Sequence, residues 1–127
     1  MVKEMLKYNK KFVDLLALLK YNEFQIYMEN FCFKYKNFPK QTEGFDCLTP
    51  EDIKDIEAYC RARFIELVPN QNSFGHMQFW LGEEEFAHLG LGDETRPNSG
   101  TLNPLLPESY EFIDKLFDSL LPNFSSE

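Results

Sequence analysis

The chain predicts an α+β domain, predominantly helical, with about four helices and a small antiparallel β-hairpin. Three observations lead there. Residues 9–36, 49–63 and 107–121 carry apolar side chains at helical spacing. Residues 64–81 hold the one alternating stretch, interrupted by turn residues. With 127 residues, 43% of them hydrophobic and 13 of them Phe, the chain can build one core, so 1–127 reads as a single domain.

Asn9 can cap a first helix in which Phe12, Leu15, Leu16 and Leu19 share a face. Asn22, followed three residues later by Gln25, resembles a capping box and places a break near Tyr21. A second helix would then carry Phe24, Tyr27, Met28, Phe31 and Tyr35; one long kinked helix is the alternative. Pro39 ends either. After the loop 40–48, Thr49 serves as N-cap, Pro50 occupies the first helical position, and Glu51 and Asp52 suit the positive helix end. Ile53, Ile56, Tyr59 and Cys60 face the core.

Phe64–Val68 extends the preceding helix or forms a strand; a hairpin fits, with PNQNSFG as its loop and the alternation of Met77, Phe79 and Leu81 as its second arm. Residues 83–91 form a short helical turn or a third strand. Residues 92–107 hold three Pro and two Gly and read as an irregular surface loop. Pro107 opens the last helix, Pro122 stops it, and Tyr110, Ile113, Phe117, Leu120 and Leu121 line its core face.

Charge is unevenly placed. The net charge is −8, yet residues 1–40 hold eight Lys against four acids and sum to +4, leaving −12 for residues 41–127. No Lys or Arg lies between Arg63 and Arg96. An acidic surface repels phosphate, so direct nucleic-acid binding is not expected. No apolar run approaches the ~20 residues that cross a bilayer, and the N-terminus has no secretory pattern. Three widely spaced cysteines, Cys32, Cys47 and Cys60, predict free thiols in a reducing, cytoplasmic setting.

No catalytic signature stands out. His76 reads as a structural histidine. Glu85 and His88 have the E-x-x-H spacing of carboxylate-bridged metal sites, but such sites need two such motifs. Gly90 and Gly92 form G-x-G rather than a full dinucleotide fingerprint. No metal, no cofactor and no enzymatic activity are therefore expected. The remaining feature is the run Leu81–Glu94, in which Glu83, Glu84, Glu85, Asp93 and Glu94 stand beside Trp80, the sole tryptophan. With His88, these residues form the candidate binding surface for a basic protein partner, Trp80 acting as the aromatic anchor.

In size, charge balance and the Glu83–Glu94 run, the chain resembles bacterial toxin-immunity proteins, such as those of contact-dependent inhibition systems. That resemblance implies a cytoplasmic protein that neutralises a cognate toxin domain, such as a nuclease, by covering its basic surface. Alternatives are a phage- or plasmid-encoded inhibitor of a nucleic-acid enzyme, or a small enzyme whose site is assembled from distant residues.

Overall fold

The computed structural model describes residues 2–92 and 99–126. Helix α1 spans Val2–Leu18 and strand β1 Glu23–Met28; the short helix α2 follows at Pro39–Thr42, and then helix α3 at Pro50–Arg61. Strand β2 is Glu66–Gln71, α4 is Gln78–Gly82, a 3₁₀ turn covers Ala87–Leu89, and α5 spans Pro107–Leu120, with a last 3₁₀ turn at Leu121–Asn123.

The two strands pair in parallel, from Glu23 opposite Glu66 to Met28 opposite Gln71. Parallel neighbours cannot be joined by a hairpin; here the crossover is α3, and β1–α3–β2 is a βαβ unit. This corrects the expected fold. The region 64–81 forms no antiparallel hairpin: its first arm is β2, and its second becomes α4. The segment read as a second helix is β1. Phe24, Ile26 and Met28 point inward while Glu23, Gln25 and Tyr27 stay exposed, the period of two that defines a half-buried strand.

Two helices end in the same way. At α1, Tyr21 N–H donates to Leu16 O and Lys20 N–H to Ala17 O; at α3, Ile65 N–H donates to Cys60 O and Phe64 N–H to Arg61 O. Both are Schellman caps. Their left-handed residues are Lys20 (φ 62°) and Phe64 (φ 59°), where glycine is usual. Phe64 is also 92% exposed, so its ring returns little packing for the strain. An L-residue in this conformation costs about 1–2 kcal/mol. Phe64→Gly is therefore expected to raise stability by about 1 kcal/mol, since glycine's greater unfolded-state freedom offsets part of the gain. A thermal melt should show a midpoint about 3–5 °C higher; a lower midpoint would mean the ring holds a contact that matters.

Helix α3 is fixed at its start by a reciprocal capping box: Asp52 N–H donates to Thr49 Oγ1 at 3.2 Å and Thr49 N–H to Asp52 Oδ2 at 2.9 Å. Its exposed flank ties to α1 through Lys10–Asp55 and Arg63–Asp14, both 2.6 Å. The Tyr59 hydroxyl, then Arg63, hold the Asp14 carboxyl below its ordinary value. A lowered carboxylate contributes stability above its unfolded pKa and loses it as pH falls through the folded one, so acid loosens this tether.

Trp80 sits at the centre of the core, fully buried, with its ring 4.8 Å from Phe31, 5.1 Å from Phe38, 5.4 Å from Phe112 and 5.5 Å from Tyr35. Helix α5 closes this cluster with Phe112, Ile113, Leu116 and Leu120, whereas the expected core residues Tyr110 and Leu121 are exposed. Gly100 anchors the return of the chain: its carbonyl accepts from Met77 N–H at 2.8 Å, its φ is 72°, and a Cβ there would meet the Gln78 side chain at 2.5 Å. Among the described residues, no helix is long and apolar enough to cross a membrane.

Cys32, Cys47 and Cys60 are free thiols, the last two buried. Burial raises all three above the ordinary thiol value, Cys60 to about 11. A protonated, enclosed thiol is a poor nucleophile. Iodoacetamide at neutral pH should label the native protein slowly and label three sites after denaturation. Mass spectrometry of unreduced protein showing a Cys–Cys link would contradict this.

Candidate functional site

In parallel βα architectures, ligand-binding side chains gather beyond the carboxyl ends of the strands. Here β1 ends at Met28 and β2 at Gln71, side by side in the ladder. Directly beyond them stand Glu29 and Asn30 on one side and Asn72, Ser73 and His76 on the other. His76 Nδ1 lies 3.6 Å from Glu29 Oε1, forming an ion pair when the imidazole is protonated; the histidine side chain is 68% exposed and the glutamate 34%. The pair brings together residues 47 positions apart in sequence.

The backbone at this rim is strained twice. Asn30 has φ 57° and His76 φ 56°. Non-glycine residues held in the left-handed region cluster at functional sites, where surrounding structure keeps them there. The Asn30 side-chain oxygen is buried without a hydrogen-bond partner among the described residues. Below the rim, Tyr35 OH donates to Gln71 Oε1 at 2.6 Å, and Gln71 Nε2 donates to Asn72 O at 2.9 Å. Burial pushes the Tyr35 hydroxyl up, so it remains a donor and holds the Gln71 side chain in place. The result is a carboxylate and an imidazole facing each other at 3.6 Å on an open rim.

The residues singled out from sequence lie elsewhere. Trp80 is in the core and offers no surface to a partner. Glu83, Glu84, Glu85 and His88 are exposed. Glu85 accepts from Gln41 Nε2 at 3.2 Å, and Glu85 and Lys115 line two shared grooves, one with His88 and the other with Lys40. Glu85 thus shares its grooves with Lys40 and Lys115, but also with Glu108, Glu111 and Asp118. Asp93 and Glu94 lie outside the described residues. None of the four described acidic-run residues bonds to Glu29 or His76. No group of three or more potential metal ligands occurs among the described residues. A cavity of about 490 Å³ lies at the opposite end of β2, where Glu57 pairs with Arg61 at 3.6 Å and accepts from Ser125.

Sequence reasoning passed over Glu29 and took His76 as structural. A usable signal was present: in IYMEN and LVPNQNS an apolar strand runs directly into carboxylate and amide residues.

The chain matches the family model of glycosyl hydrolase family 20, catalytic domain, over residues 5–127. It is similar to hexosaminidase D of Bos taurus, 29% identical over 89 residues, covering 70% of this chain and 25% of that protein. It is also similar to the β-hexosaminidase subunit beta of Felis catus, 26% identical over 117 residues, covering 84% of this chain and 22% of that one. Among solved structures, it superposes on the Vibrio harveyi exo-β-N-acetylglucosaminidase bound to N-acetylglucosamine, with TM-score 0.75, 25% identity, and coverage of 95% of this chain and 24% of that chain. The Flavobacterium johnsoniae chitobiase gives TM-score 0.77 and 26% identity, with coverage of 94% and 20%. These neighbours are TIM-barrel-related domains. The chain spans about a quarter of the length of these curated relatives. These matches overturn the resemblance to toxin-immunity proteins and the expectation of a non-enzymatic toxin inhibitor; of the readings made from sequence, the alternative of an enzyme stands closer. With its sequence matched from residue 5 to residue 127, the chain belongs to glycosyl hydrolase family 20.

Proposed function

We propose that the protein acts in the hydrolysis of β-linked N-acetylhexosaminides, with the Glu29–His76 pair at the substrate-facing rim. The observation that carries this reading is the pair's position: a carboxylate and an imidazole 3.6 Å apart beyond the carboxyl ends of two parallel strands, in a chain of this family. The relatives, hexosaminidases and an exo-β-N-acetylglucosaminidase, supply the substrate class.

Glycosidic cleavage needs a proton delivered to the leaving oxygen and a nucleophile at the sugar's anomeric carbon. Hydrolysis in family 20 is substrate-assisted, so the substrate itself supplies the nucleophile. The protein's share is then proton management and orientation. Glu29 Oε1 faces Nδ1 of the imidazole at 3.6 Å, which turns Nε2 toward the open side of the rim as the nitrogen to pass a proton.

The test is turnover of 4-nitrophenyl N-acetyl-β-D-glucosaminide beside 4-nitrophenyl β-D-glucoside. Release of nitrophenol from the first and not the second is expected, because only the first carries an acetamido group able to assist. No release from the acetamido substrate, or equal release from both, would overturn the reading.

A further inference from the structure

We infer that Tyr27 and Asn72 form a hydrogen-bonding contact for adjacent hydroxyls of a pyranose, placed beside the Glu29–His76 pair. The inference rests on the glycosidase reading and extends it to residues that hold the sugar.

The outer face of the β1–β2 sheet carries it. Gln25 and Tyr27 of β1 and Asn70 of β2 are exposed on this face, opposite the buried Ile26, Met28 and Leu67. A parallel sheet is ordinarily covered on both faces by apolar packing; this face instead presents Glu23 and Glu66 at its near end and amides and a phenol toward the rim, with Val68 between them. The side chains are linked across the strands, Asn70 Nδ2 donating to Gln25 Oε1 at 3.3 Å and Asn72 Nδ2 to Tyr27 Oη at 2.7 Å. Alternation puts Glu29 on the same side as Tyr27, two residues on.

The valences at the upper pair are specific. Tyr27 Oη accepts from Asn72, so its own proton points elsewhere. Asn72 Oδ1 keeps its lone pairs. Neither atom makes another hydrogen bond among the described residues, and Tyr27 is 54% exposed. The rim therefore displays the Tyr27 hydroxyl donor and the Asn72 Oδ1 acceptor side by side, with the second Nδ2–H of Asn72 next to them. A sugar hydroxyl both donates and accepts, so two neighbouring hydroxyls can satisfy both atoms at once. The Tyr27 ring adds an apolar surface for the sugar's C–H face. Asn72 is itself held in place, its backbone N–H donating to Met28 O at 3.0 Å in continuation of the ladder.

Tyr27→Phe and Asn72→Ala test this, with Asn70→Ala as the comparison, since it breaks only the Gln25 contact farther from the rim. N-acetylglucosamine is titrated into each protein with NMR detection, and kcat and KM are measured on 4-nitrophenyl N-acetyl-β-D-glucosaminide. Loss of one neutral hydrogen bond predicts binding weakened and KM raised about five- to tenfold in the first two variants, with kcat within about twofold. Asn70→Ala should match the parent. Tyr27→Phe removes one oxygen and leaves the packing, so it reports even if Asn72→Ala unfolds. Parent-like binding and KM in Tyr27→Phe would overturn the contact alone, leaving the glycosidase reading intact. Sugar binding that depends on Tyr27 without any turnover would keep the contact and remove the glycosidase reading. No sugar binding by the parent would overturn the contact.

Discussion

His76→Asn is expected to lower kcat/KM for 4-nitrophenyl N-acetyl-β-D-glucosaminide by about 10²-fold or more, within the range that a positioned acid or base contributes. Asparagine is the informative replacement because it tolerates the left-handed backbone that His76 adopts at φ 56°. The local chain path is then kept and only the imidazole is lost. Glu29→Gln keeps the shape of its partner and removes the charge 3.6 Å from His76 Nδ1. It should give a smaller loss of the same kind. Because the two side chains act as a unit, the double variant should fall little further than His76→Asn alone. Additive losses would show independent roles, and a His76→Asn protein with kcat/KM within twofold of the parent would remove the pair from the mechanism.

The second large effect is on stability. Trp80→Ala should cost about 3–5 kcal/mol, the usual range for deleting a large aromatic from a core, and lower the melting midpoint by more than about 10 °C. The ring is fully buried and meets Phe31, Tyr35, Phe38, Phe86 and Phe112 at centroid distances from 4.8 to 6.0 Å. Its indole Nε1 is buried without a hydrogen-bond partner among the described residues. Trp80→Phe, which removes that unpaired donor along with part of the ring, should therefore cost much less than Trp80→Ala. Trp80 is the sole tryptophan, so intrinsic fluorescence reads the same transition, blue-shifted when native and red-shifted on unfolding. A midpoint within 2 °C of the parent for Trp80→Ala would place the ring outside the core.

Helix α3 was legible because its signals are local. Thr49, Pro50 and Asp52 are consecutive or nearly so, and the capping box needs nothing from the rest of the chain. Pro107 and Pro122 bracket α5 for the same reason, although the face it buries is set by Phe112 and Leu116 rather than Tyr110 and Leu121. Strand β1 was not legible. In EFQIYMENF, Phe24, Tyr27, Met28 and Phe31 satisfy a helical period while Phe24, Ile26 and Met28 satisfy a period of two, and only the partner strand decides between them. That partner lies beyond α3, so parallel pairing leaves no turn motif to read, unlike a hairpin.

The same distance hid the site. Glu29 and His76 are unremarkable in their own neighbourhoods, and they become a pair only because two strand ends are brought together. The acidic run stands apart from this pair: Glu83, Glu84 and Glu85 are exposed, and Glu85 accepts from Gln41 and shares grooves with Lys40 and Lys115 as well as with Glu108, Glu111 and Asp118.

The parallel ladder also sets an order of assembly. Glu23 and Glu66 are paired across 43 positions of chain. Closing a loop of that length costs about 3 kcal/mol of chain entropy, about 2 kcal/mol more than closing a four-residue hairpin. Helix α3, with its own cap, can form before that closure and shortens the span to be crossed; the strands cannot pair until it is complete. The rim of Glu29, Asn72 and His76 exists only once the ladder does, so the part of the molecule proposed to meet substrate is among the last to be built as the chain folds.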